Sequence, residues 1–168
     1  MRRAIGYRLS AIGLLLIAVN AGAARAQDMG IEIGTMGPGA TVYTLDGKET
    51  DLAKYVGKSP VLIEFWATWC PNCKELEPAM KAAAAKYGDK VKFVGVAVSV
   101  NESPEKVKAF LEKHALPGDQ YFDTHGKATG AYDVPATSYI VILDKTGKVV
   151  YTGLGGRQNI DAAIKKVL

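Results

Sequence analysis

The chain has 168 residues, 48% of them apolar, and carries 21 Lys+Arg against 17 Asp+Glu for a net charge of +4. Four of the arginines lie in the first 26 residues, which hold no acid, so the remainder balances at 17 against 17. With no basic stripe interleaved with aromatics either, nucleic acid is excluded as an expected partner.

The first element is a leader. MRRAIGYRLS is basic, an apolar run follows from about residue 11 to 19, and small residues lead to Ala24-Arg25-Ala26. This is the pattern of a secretory signal, with cleavage expected after Ala26. The apolar run falls short of the roughly 20 residues of a membrane span, so no stable span is expected. No cysteine follows it, which excludes lipoprotein attachment. The 142 residues that remain suit one domain, and export to a periplasm or the cell surface would place them where disulfides persist.

Residues 27–40 are glycine-rich and read as a flexible entry. TVYTLDGKETDL (41–52) reads as a hairpin turning at Asp46-Gly47. PVLIEFWA (60–67) is apolar almost throughout, as a strand covered on both faces should be. From Cys70 to Tyr87 the pattern is helical, with Leu76, Met80, Ala83 and Tyr87 on one line. Pro71 fits the first helical position, and Pro78 is expected to kink the helix. VKFVGVAVSV (91–100) is a second buried strand, and Ser103-Pro104 starts a helix running to about His114. A short strand at 120–122, a small helix at 127–132, a hairpin of 138–143 with 148–152, and a helix at 159–168 complete an α/β layer architecture.

The two cysteines, Cys70 and Cys73, are the only ones in the chain. A loop that short offers little of the stabilisation a structural disulfide gives. Zinc would want four ligands, and the only histidines, His114 and His125, are distant in sequence. Haem attachment needs a histidine directly after the second cysteine, where this chain has Lys74. No metal or other cofactor is therefore expected. At a strand-to-helix junction the first cysteine meets free N–H groups and the positive end of the helix dipole, which favour a thiolate. Cys70 is then the nucleophile, and Cys73, one turn further in and expected to be less exposed, resolves the mixed disulfide. Glu64, buried in the preceding strand, should have a raised pKa and suits a general base acting on Cys73 through a water. Trp69 is expected to line a groove beside the pair.

The run FWATWCPNCKELEP resembles the thioredoxin superfamily, and within it the exported TlpA/ResA-type thiol–disulfide oxidoreductases. Pro78 matches the family's helix-kinking proline, and Glu64 falls where the family often has a buried acid. Val134-Pro135-Ala136-Thr137 is similar to its cis-proline segment, which faces the redox pair and binds substrate backbone. The dipeptide Pro71-Asn72 departs from the Gly-Pro of thioredoxin. The resemblance implies a three-layer fold around a mixed sheet, with an N-terminal hairpin and a helix-plus-strand insertion at about 101–123. It implies substrate contacts at Trp69, Pro71, Val134 and Pro135. It also implies a monomer that reduces cysteines of exported proteins, such as apocytochromes c or copper-site assembly factors, and draws electrons from a membrane reductase of the DsbD/CcdA kind. Two alternatives are weighed against this. A peroxide-reducing relative would carry Thr or Ser three residues before its cysteine, where this chain has Ala67. A Sco-like copper module would space its cysteines one residue further apart.

Overall fold

The computed structural model describes residues 29–168; the leader and its cleavage point lie outside them. Its centre is β3 (Val61–Trp66), whose six residues are all buried. β3 pairs in parallel with β4 (Lys92–Val98) and antiparallel with β6 (Tyr139–Leu143). β4 in turn pairs in parallel with β5 (Asp119–Asp123), and β6 continues antiparallel into β7 (Val149–Leu154). The hairpin of β1 (Thr41–Thr44) and β2 (Glu49–Asp51) joins the edge of β5, giving one seven-stranded mixed sheet in the order β2-β1-β5-β4-β3-β6-β7. Gly47, at φ 84°, supplies the left-handed residue that the hairpin turn requires.

The two parallel pairs are bridged by α1 (Pro71–Tyr87) and α2 (Pro104–His114). Both are crossovers of the same hand and direction, so both helices lie on one face of the sheet. Along β3, successive side chains alternate between faces. Glu64 and Trp66 therefore point toward α1 and α2, and the Trp66 ring lies 5.5 Å from that of Phe110. Phe65 points to the opposite face, against Tyr132 and Tyr139. Tyr132 directly follows α3 (Lys127–Ala131), which covers that second face. This is the three-layer arrangement expected from the sequence, with α2 and β5 forming the insertion.

Helix α1 buries Cys73, Leu76, Met80, Ala83 and Tyr87, the line its period predicts. They pack with Leu62, Ile140 and Ile142 of the sheet and with Ile160, Ala163 and Ile164 of α4 (Ile160–Ile164). Pro78 lies on the exposed side of α1, which continues through it to Tyr87. α4 is shorter than the 159–168 expected: it ends at Ile164, the next two residues, Lys165 and Lys166, are exposed, and Val167 packs on the core from outside the helix. The glycine-rich segment is tied down from residue 30 onward rather than loosely held. Gly34 N–H donates to the Val149 carbonyl and Gly37 N–H to that of Gly147. The Tyr132 hydroxyl donates to Pro38. Gly30 lies so close to the Tyr139 ring that a Cβ there would collide with it.

Asp123, 1% exposed, accepts from the N–H groups of Ala128 (3.1 Å) and Thr129 (2.8 Å), starting α3, whose own cap Gly126 has no side chain to offer. Asp123→Ala leaves these donors unsatisfied and is expected to cost about 2–3 kcal/mol, read as a lower denaturant midpoint at unchanged slope.

Candidate active site

β3 ends at Trp66, and after four intervening residues α1 begins at Pro71. Cys70 is the N-cap of α1, in extended conformation, and its Sγ accepts the Cys73 N–H at 3.1 Å. The two sulfurs are joined as a disulfide, with Cα atoms 5.3 Å apart. Pro71 occupies the first helical position, where its missing N–H costs the helix nothing; it also leaves one donor fewer near the sulfur. Among the described residues no second donor reaches Cys70 Sγ.

The expected order of exposure is not met. Cys70 is 2% exposed and Cys73 8%. The N-cap side chain folds back over the helix end to accept the Cys73 N–H, so the first sulfur is tucked in rather than presented. Around the pair Trp69, Pro71, Asn72 and Lys74 are exposed.

The approach to Cys70 is held from the β4–α2 connection. Glu102 Oε2 accepts the Thr68 N–H at 2.7 Å, and the Trp69 indole N–H donates to the Val100 carbonyl at 2.9 Å. Trp69, 44% exposed, thus forms a fixed wall of a groove of about 520 Å³. Val98, Val100, Val134 and Pro135 also line it, with Thr129 and Thr137 as polar points. The structure therefore brings Trp69 and the Val134-Pro135 segment to one surface feature, while Pro71 lies outside that groove. The cis bond implied at Pro135 is absent: all described peptide bonds are trans. The chain instead turns through two left-handed residues, Asp133 (φ 46°) and Ser138 (φ 65°), and Ser138 N–H donates to the Phe65 carbonyl.

Beneath the pair, Glu64 is 6% exposed with no hydrogen-bond partner among the described residues. Burial, reinforced by the nearby charge of Glu77, pushes its pKa up to about 8. Glu64, Trp66, Cys73, Lys74 and Glu77 line a small, partly open cavity of about 10 Å³. That is room for about one water, and the buried Trp66 indole N–H, also without a partner, adds a polar group to its wall. Cys73 and Glu64 thus face one small cavity.

Glu77 and Glu102 were not singled out by the sequence reading. For Glu77 a signal exists: it lies four residues after Cys73 and so shares its helix face. For Glu102 there is none, since its role depends on a turn 34 residues away. The histidines lie apart: His114 Nδ1 meets Glu77 at 3.1 Å, and His125 packs edge-on against Tyr43. Among the described residues no group of three or more His, Cys, Asp or Glu side chains is placed to hold a metal ion.

Comparison with known proteins places this site. The model of the family described as Redoxin matches residues 23–168. The chain belongs to the redoxin family. It is 34% identical over 124 residues to the thioredoxin-like protein YneN of Bacillus subtilis, spanning 73% of this chain and 72% of the relative. It is 30% identical over 139 residues to the thiol–disulfide oxidoreductase ResA of Bacillus thuringiensis, spanning 82% and 79%. Among solved structures it matches a thiol:disulfide interchange protein of the thioredoxin family from Chlorobium tepidum, at TM-score 0.68 and 25% identity, covering 81% of this chain and 97% of the other. DsbF of MTB matches at TM-score 0.64 and 27% identity, covering 79% and 93%. This redoxin thus has a thioredoxin-like fold of the TlpA/ResA type, and with its Cys70–Cys73 pair it is a thiol–disulfide oxidoreductase. No helix among the described residues is long and apolar enough to cross a membrane.

Proposed function

We propose that this redoxin is an exported reductant of disulfides in other exported proteins. Cys70 is the attacking sulfur, Cys73 resolves, and Glu64 exchanges a proton with Cys73. The observation that carries the assignment of roles is the cavity shared by Cys73 and Glu64, which leaves Cys70 as the sulfur at the helix N-terminus.

In the reducing direction the Cys70 thiolate attacks a target disulfide, one target sulfur leaves, and a mixed disulfide forms. Cys73 then loses its proton to the Glu64 carboxylate through the cavity and attacks Cys70 Sγ. The second target sulfur departs as a thiolate, and two electrons have passed from the dithiol to the target. Recharging reverses the proton. A reductase thiolate attacks Cys70, Cys73 leaves as a thiolate, and Glu64 returns to it the proton taken in the forward step; a second reductase thiol then attacks the mixed disulfide, leaving Cys70 reduced and the reductase oxidised. A membrane reductase of the DsbD/CcdA kind fits this step.

The groove of Trp69, Val100, Val134 and Pro135 suits an extended, apolar stretch of the partner beside its cysteine. Pro71, exposed at the helix start, meets the partner on the other side of the sulfur. Trp69→Ala is expected to raise the KM for a protein disulfide about tenfold while sparing reaction with dithiothreitol, because only the former uses the groove. The reductive direction is supported by the surroundings of Cys70 Sγ, which in the disulfide accepts one N–H, from Cys73, while Pro71 has none to offer. Strong oxidants of this chemistry owe their potential to a stabilised reduced form.

Assembly of c-type cytochromes or of copper sites fits such a reductant. Cys73→Ala, expressed in the native organism, should trap exported proteins as mixed disulfides on Cys70, identified by diagonal electrophoresis and mass spectrometry. Failure to trap any exported protein overturns the assignment.

A further inference from the structure

Helix α1 carries a second acid at the redox site. Glu77 lines the same small cavity as Glu64 and Cys73. Its side chain is 14% exposed, and both oxygens are held: Oε1 accepts from Lys81 Nζ at 2.6 Å, and Oε2 meets His114 Nδ1 at 3.1 Å. His114 is fixed in turn by stacking on Phe110, with ring centroids 3.9 Å apart and planes within 3°. Phe110 lies against Trp66 and shares the cavity wall. The charged or titratable groups lining this space are Glu64 on β3 and Cys73, Lys74 and Glu77 on α1; Lys81 on α1 and His114 at the end of α2 act on it through Glu77. Nothing in the exchange steps above uses Glu77.

We propose that Glu77, clamped by Lys81 and His114, is a positioning residue of the redox site whose charge decides at what pH Glu64 can take the proton of Cys73. Two carboxylates facing one small, largely buried space resist ionising together. While Glu77 is charged, Glu64 holds its proton to higher pH and serves as an acid in the opening of the disulfide. The clamp from Lys81 and His114 limits that effect by partly neutralising Glu77. The insertion helix α2 thereby becomes part of the redox machinery. This inference rests on the reading of Glu64 as the group that exchanges a proton with Cys73.

The test is single-turnover oxidation of the reduced protein by excess oxidised glutathione, followed by tryptophan fluorescence from pH 6 to 10. A first, concentration-dependent phase links glutathione to Cys70 and releases one glutathione. A second, concentration-independent phase forms Cys70–Cys73, expels the other glutathione as a thiolate, and leaves the Cys73 proton on Glu64. Glu77→Gln, which keeps the side chain's size and one acceptor oxygen while removing its charge, should lower the pH midpoint of the second phase by about one unit; Lys81→Met should raise it by about half a unit. Shifts of opposite sign support the proposal. Unchanged midpoints, or shifts of the same sign in both variants, overturn it. Glu64→Gln separates the two levels: if its profile equals that of the unaltered protein, the proton role of Glu64 fails instead.

Discussion

Cys70→Ser is expected to lower disulfide reductase activity by more than about three orders of magnitude, as loss of a covalent nucleophile does. Cys73→Ser should behave differently. Its Cys70 still attacks, so one equivalent of mixed disulfide accumulates and turnover stops. The asymmetry is informative because it does not follow from exposure: Cys70 is the more buried of the two, at 2% against 8%. It follows from position. Cys70 caps the helix and accepts the Cys73 N–H, so its thiolate is the one the dipole favours. Insulin reduction with non-reducing electrophoresis and intact mass distinguishes the variants. Equal trapping by Cys70→Ser would reverse the roles.

Glu64→Gln is expected to slow the resolving step by about a hundredfold near pH 8, the scale of a lost general base, and to remove its pH dependence. It should also change stability in a direction opposite to most carboxylates. The folded-state pKa of Glu64 is raised to about 8, above its unfolded value of about 4.3. Between those values the folded protein binds more protons than the unfolded one. Its contribution is complete below the unfolded pKa and is lost as pH rises through the folded pKa. From pH 5 to 9 the loss is on the order of 4 kcal/mol. Glu64→Gln should be close to neutral at pH 5 and stabilising at pH 9, measured by urea denaturation of the oxidised protein. A variant that tracks the unaltered protein at both pH values would show that Glu64 ionises freely.

Much of this was legible along the chain because it is local. The run of apolar residues from Val61 to Trp66, the four-three-four spacing of Leu76, Met80, Ala83 and Tyr87, and the Ser103-Pro104 start each specify an element without outside help. Glu64 was legible as a contradiction, an acid where a strand is buried on both faces. What escaped depends on distant partners. Glu77 gains its meaning only when α2 delivers His114, 37 residues on. Trp69 is fixed by a carbonyl 31 residues away. Cys70 is more covered than its place at the helix start suggests, because its sulfur bonds back onto the helix. The segment from Gly30 to Gly39 has the composition of a loose linker, yet Gly30 and Gly37 permit close approach to Tyr139 and Leu143 of β6. At Pro135 two left-handed residues make the turn, and a motif cannot show which residues bend.

The direction of electron flow is the claim on which the proposed function turns, and one equilibrium tests it. The protein is incubated with graded ratios of reduced to oxidised glutathione, and the dithiol fraction is read from tryptophan fluorescence and thiol alkylation. With a single N–H supporting Cys70, the pair should equilibrate more negative than about −200 mV, toward the value of thioredoxin near −270 mV. A potential near −120 mV would mean a stabilised reduced form and an oxidant, contradicting the account.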